Sequence, residues 1–338
     1  KRQSHHEPMA RNHQEWSRKR KEYGAWDYTT NQKVIDQFFR EGIERMQGTE
    51  DIVTIGMRGD GDAAMSKSTN VKLLENVVKN QRKIIEEVTK RPAKETPQVW
   101  ALYKEVLDYY DKGMRVPDDV IMLLCDDNWG NVCRLPNAKE RKHPGGWGMY
   151  YHVDYVGAPR NSKWLNVTPI QNMWEQLQLT YDYGVEKLWI LNVGDLKPME
   201  YPITLFMDMA WNLDKVSSEG VTVHLKHWLE RELGTSCAKA VLPVMQEHYR
   251  LAHIRKPEFM GNTREEENNP IYRVVKDLPW SEREINERLN AYDELSETVE
   301  KAASKVPVDR QSAYFELVKY PVQAAAQMNR KLLYAQLA

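Results

Sequence analysis

Apolar runs of strand length alternate through most of this chain with amphipathic stretches whose apolar positions recur at helical spacing, and no other feature restricts the fold as strongly. Helical periodicity covers residues 34–47, 70–91, 106–114 and 169–183, and strand-like runs fall at 52–57, 99–103, 120–125, 148–155 and 187–191. Helical patterns then dominate to about residue 253. Strands alternating with helices predict an α/β fold with a parallel sheet, open or closed into a barrel. A polar connection, PEFMGNTREEENNP, breaks the pattern between 257 and 280. Ser281 and Glu284 beyond it form a capping box, so a helix is expected to begin there, and a last helix is expected over 314–336.

Composition narrows the partners. Lys and Arg total 48 against 49 Asp and Glu, a net charge of -1, so no broad field exists to collect nucleic acid or anionic lipid. No apolar run reaches the ~18 residues of a membrane span, and the opening KRQSHHEP lacks the apolar core of a signal peptide. Cys125, Cys133 and Cys237 are too few and too irregular for a disulfide framework or zinc site. The aromatic content is skewed, with 11 Trp and 17 Tyr but 5 Phe. Such side chains combine a flat apolar face with a polar handle, which suits sugar rings as well as mixed cores.

The residues that follow each expected strand form a second pattern. GMRGDGDAAMS at 56–66 places Arg58, Asp60 and Asp62 after the first, and Glu105 follows the second. Asp126, Asp127 and Asn128 follow the third, His152, Asp154 and Tyr155 close the fourth, and Asn192 and Asp195 follow the fifth. In a parallel sheet the carboxyl ends of the strands share one edge, and in a barrel they surround one pocket. At any single position a helix cap or a turn former is the competing explanation, as for Asp62 or Asp126. Five polar ends in succession weigh against that explanation for the set.

Such a set suits glycoside hydrolysis. That chemistry needs one carboxylic acid to protonate the departing oxygen and a second carboxylate to activate water or attack the sugar. Asp62 and Glu105 are the expected pair. Arg58 can hold a planar carboxylate through two parallel hydrogen bonds, which favours an acidic sugar. Asn128, Tyr155 and Asn192 are expected at hydroxyls, with Trp129 and Trp147 stacking on ring faces. Two rival readings stay open: metal-assisted hydrolysis through Asp60, Asp62, Asp126, Asp127 and His152, and carbohydrate binding without catalysis. His5, His6 and Glu7 lack a spaced third ligand and read as structural, HPGGWG at 143–148 reads as a flexible loop with a lid as the alternative, and Glu175 reads as a solvated or helix-pairing position.

GMRGDGD, LYKEV, CDDNWGN, YYHVDYVGAPR, WEQ and WILNVGDLKP, with SHHEPM near the start and YPVQAAAQMN near the end, resemble glycoside hydrolase family 115, the xylan α-glucuronidases. The resemblance implies a (β/α)8 TIM-barrel catalytic domain, here 1–278 and incomplete at its N-terminus, followed by the start of a helical-bundle domain over 279–338. It also implies release of α-1,2-linked glucuronic acid, or its 4-O-methyl form, from glucuronoxylan with inversion, without a cofactor or a catalytic metal. Carried over by motif, the pocket comprises Arg58, Asp62, Tyr103, Glu105, Asn128, Tyr155 and Asn192. Glu105 is expected as general acid and Asp62 as base, with the two roles exchangeable. Family members are longer, so this stretch is expected to be a fragment of a larger enzyme, periplasmic or secreted, with a homodimer through missing or C-terminal domains as a possible assembly.

Overall fold

The computed structural model describes residues 8–60, 70–154, 166–260 and 277–338. Five strands, β1 (Val53–Ile55), β2 (Gln98–Leu102), β3 (Ile121–Cys125), β4 (Trp147–His152) and β5 (Leu188–Asn192), form one sheet in their order along the chain. The longer helices are α1 (Tyr28–Arg45), α2 (Val71–Thr89), α3 (Glu105–Asp111), α4 (Ile170–Asp182), α5 (Glu200–Trp211), α6 (Val221–Leu233), α7 (Thr235–Ile254), α8 (Glu282–Ala302) and α9 (Tyr320–Leu337). Val53 lies opposite Gln98, Val99 opposite Ile121 and Met122 opposite Trp147, all in parallel register. Backbone bonds from Lys187 to Trp147 (2.8 Å) and from Val153 to Asn192 (3.0 Å) carry the ladder to β5 in the same direction.

This order carries information. A doubly wound sheet starts inside and reverses, which permutes its strands. Sequential order with right-handed crossovers instead sets every helix on the same face, as in the wall of a β/α barrel. The strands are apolar nearly throughout, as expected where both faces are covered. All five expected strands form, most within one or two residues of the expected bounds. The first is shorter, because the chain leaves the ladder at Gly56, and the fourth stops at His152.

The backbone clusters into two compact units, the first comprising residues 1–126, 132–150 and 180–190 and the second 127–131, 151–179 and 191–338. In the first, Asp27 caps α1 by accepting from the Thr29 N–H, and Ile35, Phe38, Phe39 and Ile43 line its buried face. Asn70 caps α2 in the same way at Leu73, and Leu74, Val77, Val78, Gln81, Ile84 and Ile85 form its buried stripe. Val99, Ala101, Ile121, Leu123 and Tyr150 form one core cluster.

The HPGGWG stretch corrects the flexible-loop expectation. Its histidine ring bonds the Val120 carbonyl oxygen at 2.7 Å, and Trp147 starts β4 with its indole N–H donated to the Glu140 carbonyl at 2.9 Å. Trp147 is 1% exposed, so its ring cannot serve as a sugar platform. Glu175 is solvent-exposed, as expected. The cysteines form no disulfide, and burial pushes the Cys237 thiol up to about 11. Among the described residues no helix is long and apolar enough to cross a membrane.

The second unit is mainly helical. Ser281 forms the expected capping box, its hydroxyl accepting from the Glu284 N–H while its own N–H donates to the Glu284 carboxylate at 2.7 Å. Buried Arg288 of α8 reaches the carboxyl end of α7, donating to the carbonyls of Leu251 (3.1 Å) and Arg255 (2.7 Å), and its Nε donates to Asn329 (2.7 Å). A guanidinium there adds a second donor at the Leu251 carbonyl, which also accepts the Arg255 N–H at 3.1 Å, and meets the negative end of the helix dipole. The final helical run matches expectation in extent but contains a π-turn at Phe315–Lys319, just before Pro321. A wider turn accommodates a proline that can neither donate nor tolerate the normal carbonyl packing.

His248 of α7 is completely buried, its Nε2 within 3.0 Å of the Asn166 carbonyl, which fixes that nitrogen as the donor. Burial lowers its pKa to about 4, and Arg288 adds to the effect. Between pH 6.5 and about 4 the unfolded chain therefore takes up a proton that the folded chain refuses, so stability falls as pH drops through this window. The loss should reach about 3 kcal/mol. Urea denaturation across that range should show the slope in the native sequence, with the slope reduced by one proton in His248→Gln.

Candidate functional site

The site is built from the end of β1. Gly56 adopts φ +93°, and a Cβ there would lie 2.4 Å from the indole nitrogen of Trp100. Only glycine meets both conditions. Gln81, fully buried on the apolar stripe of α2, donates to the Gly56 carbonyl (2.8 Å) and accepts from its N–H (2.7 Å). The side-chain amide thus replaces a neighbouring strand where the ladder ends. Two residues on, the indole N–H of Trp26 donates to the Arg58 carbonyl at 2.9 Å. Asp60 is paired with His13 (2.9 Å) and with Arg20. These contacts hold the described part of the GMRGDGD turn as far as Asp60.

Arg58 meets Glu105 in a bidentate pair, Nε to Oε1 at 3.0 Å and Nη2 to Oε2 at 2.7 Å. Both side chains are mostly buried, 10% and 18% exposed. The Arg58 guanidinium carbon lies 5.3 Å from the Tyr103 ring centroid, and the Lys104 ammonium lies 4.9 Å from it. Lys104 has φ 49°, ψ -122°, an unfavourable backbone conformation for a side-chain-bearing residue. It forms the joint between β2 and α3 that puts Glu105 on the first turn of the helix.

In the second unit, Asp127 organises the DDNWGN loop. Its Oδ1 accepts from the N–H groups of Trp129 (2.8 Å) and Asn131 (3.1 Å), and its Oδ2 accepts from the Asn131 side chain (2.8 Å). Asn128 stands between these anchors at φ 71°. Tyr151 and Asn172 both donate to the Gly130 carbonyl, at 3.0 and 3.2 Å. Asn192 ends β5 with its carbonyl accepting from Val153 (3.0 Å) and Asp154 (3.2 Å) and its side-chain oxygen accepting from Gly194 (3.2 Å). His152 and Asp154 are buried close by along the chain end of β4, at 5% and 8% exposure.

The sequence-derived set therefore divides. Arg58, Tyr103 and Glu105 come together in the first unit, Asn128 and Asn192 stand in the second, and Asp62 and Tyr155 lie outside the described residues. His5, His6 and Glu7 lie outside them too. Among the described residues, no group of three or more His, Cys, Asp or Glu side chains is arranged to hold a metal ion. The supporting residues Trp26, Gln81 and Lys104 fall outside the strand-end pattern of the sequence. Gln81 carried a usable signal, an amide at an otherwise apolar position of an amphipathic stripe. Lys104 carried none.

A sequence profile described as glycosyl hydrolase family 115 matches residues 2–259. The chain is also similar to a solved structure described as BtGH115A, a family GH115 4-O-methyl-α-glucuronidase with specificity for decorated arabinogalactans. The two share 59% identity with a TM-score of 0.92, over 99% of this chain and 44% of the other. The chain thus spans less than half the length of that relative. No curated protein matches it.

Replacing Gln81 by Leu leaves the buried N–H and C=O of Gly56 without partners, at about 1–3 kcal/mol each. Denaturant titration should show Gln81→Leu destabilised by about 2–6 kcal/mol, and an unchanged midpoint would remove the clamp from the account. Lys104→Gly relieves the backbone strain and should raise stability by about 1 kcal/mol, readable as a higher Tm.

Proposed function

The chain belongs to glycosyl hydrolase family 115, and from that premise we propose that it carries catalytic machinery of an α-glucuronidase. Its reaction is release of α-1,2-linked glucuronic acid, or the 4-O-methyl sugar, from an acid-decorated polysaccharide. Glucuronoxylan is the substrate expected from the sequence motifs, and decorated arabinogalactan is the one named for the similar solved structure. The reading extends to a (β/α)8 barrel over 1–278 with a helical domain from 279, supported by the sequential parallel strand order. A periplasmic or secreted location and inversion at the anomeric carbon belong to the same proposal.

The Arg58–Glu105 pair carries this reading, because it sets an acidic group and a carboxylate receptor side by side at the ends of adjacent strands. It also constrains the order of events. The two N–H groups that would grip the sugar carboxylate are the ones that hold Glu105. A bound uronate therefore competes with Glu105 for the guanidinium, and transfer of Arg58 to the sugar releases a Glu105 oxygen. That oxygen, no longer held by the cation, takes a proton from solvent and passes it to the departing glycosidic oxygen as the C–O bond breaks. Asp62 is the expected second carboxylate, and inversion needs such a group roughly 6.5–9.5 Å from the acid to activate water. Tyr103, Asn128, Tyr155 and Asn192 orient the sugar ring.

Glu105→Gln should lower kcat for glucuronate release by about 10²- to 10⁴-fold, the usual contribution of a positioned acid, while substrate still binds. Near-normal turnover would take Glu105 out of the mechanism. Arg58→Ala should weaken binding of a glucuronosyl ligand far more than binding of its carboxyl-reduced analogue, and equal losses would remove the uronate clamp. Parallel assays on glucuronoxylan and decorated arabinogalactan, by quantifying the released acidic sugar, decide between the two polymers.

A further inference from the structure

The second unit contains a cavity of about 460 Å³ between the DDNWGN loop and the carboxyl end of α7. Trp129 and Asn131 of the loop form one wall. The opposite wall is His253, Arg255, Lys256 and Phe259. Trp129 and Phe259 meet edge to face with centroids 5.0 Å apart, and the Lys256 ammonium lies 5.7 Å from the Trp129 ring. Asn172 joins the floor and donates to the Gly130 carbonyl.

Three properties mark this cavity as a receptor for an anionic sugar. First, its ionisable lining is basic. Two other cavities among the described residues mix the charges, one setting Arg11, Arg18 and Arg45 beside Glu15, Glu41 and Glu44, the other setting Lys215 and Arg231 beside Asp208 and Glu219. Among the described residues, no Asp or Glu lines the cavity at Trp129. Arg255 has no carboxylate partner among the described residues, and burial holds its guanidinium below the usual range. Second, the negative end of α7 is already met by Arg288, so the basic groups here are not needed at the carbonyls of Leu251 and Arg255. Third, both walls are fixed in advance. Asp127 ties the loop, and the Arg255 Nε and Nη2 donate to the Phe259 carbonyl at 2.9 and 2.7 Å. A preformed concave site with aromatic rings, amides and net positive charge suits a ring that has C–H faces, hydroxyls and one carboxylate.

We propose that this cavity is a subsite for a second uronic-acid unit of the polysaccharide, distinct from the one released. Phe259 and Trp129 lie against its C–H face, Asn131 and Asn172 reach its hydroxyls, and Arg255 and Lys256 face its carboxylate. The choice of polymer rests on the α-glucuronidase reading, and the subsite confers a preference for densely acid-decorated segments.

Calorimetric titration of the full-length protein with a xylo-oligosaccharide bearing two glucuronic-acid branches, and with its carboxyl-reduced form, tests the proposal. Release of glucuronic acid from a singly branched oligosaccharide is assayed alongside. Lys256→Met and Phe259→Ala should each weaken binding of the doubly branched ligand about tenfold, the effect of losing one charge or ring contact of roughly 1–1.5 kcal/mol. Reduction of both carboxyls also removes the contact to Arg58, so it should weaken native binding by more than tenfold and abolish the Lys256→Met effect, with turnover of the singly branched substrate unchanged in both variants. If the variants bind the doubly branched ligand as the native protein does while the singly branched substrate is still cleaved, the subsite is overturned and the glucuronidase reading stands. If neither substrate releases glucuronic acid yet the binding losses appear, the acidic-sugar site stands and the catalytic reading falls.

Discussion

The salt bridge between Arg58 and Glu105 ties two loop segments that the sheet alone would leave independent. β1 and β2 pair through only three facing residues each, and their chains diverge at Gly56 and Tyr103. A mostly buried ion pair adds little net stability against an apolar substitute, but removing one partner strands a charge and costs several kcal/mol. Its value here is positional. The surroundings on both sides serve it: Gln81 and Trp26 fix the arginine's backbone, and the strained Lys104 aims the glutamate. Where a chain tolerates an unfavourable backbone angle beside a buried charge pair, function is the simplest account of both.

Much of this arrangement could be read from residue order, because parallel strands deliver their ends to a common edge whatever the details of packing. The alternation of periods located all five strands, and the Ser281–Glu284 spacing located a helix start, since each depends on local chemistry. Pairing between strand ends was not readable in the same way. The pattern named Arg58 as a receptor for a substrate carboxylate and Glu105 as an acid, but nothing in the spacing states that the two side chains grip each other. The glycines before Trp147 point to a loop, yet its indole is buried as the first residue of β4. A run of glycines signals freedom of the backbone and says nothing of what the next side chain covers. The backbone angle at Lys104 had no sequence signature at all, being imposed by the geometry of the strand-to-helix joint.

The helical unit solves a different problem. It presents the carboxyl end of a long helix, where the last carbonyls run out of intrahelical donors, and meets it with a side chain from a neighbouring helix rather than with a glycine cap. Arg288 therefore does the work of a terminal motif from 33 or more positions away in sequence. It also stacks near Trp280 and Tyr292, both centroids 5.3 Å from its guanidinium carbon. Aromatic faces and carbonyls together replace the hydration that a buried cation gives up.

That same arginine couples motions that would otherwise be separate. Because it is bonded to the carbonyl of Arg255, whose guanidinium braces the Phe259 turn, α8 acts as a strut behind one cavity wall. The spacing of the Trp129 and Phe259 rings is therefore referenced to where α8 sits, through two side-chain bonds rather than through the backbone.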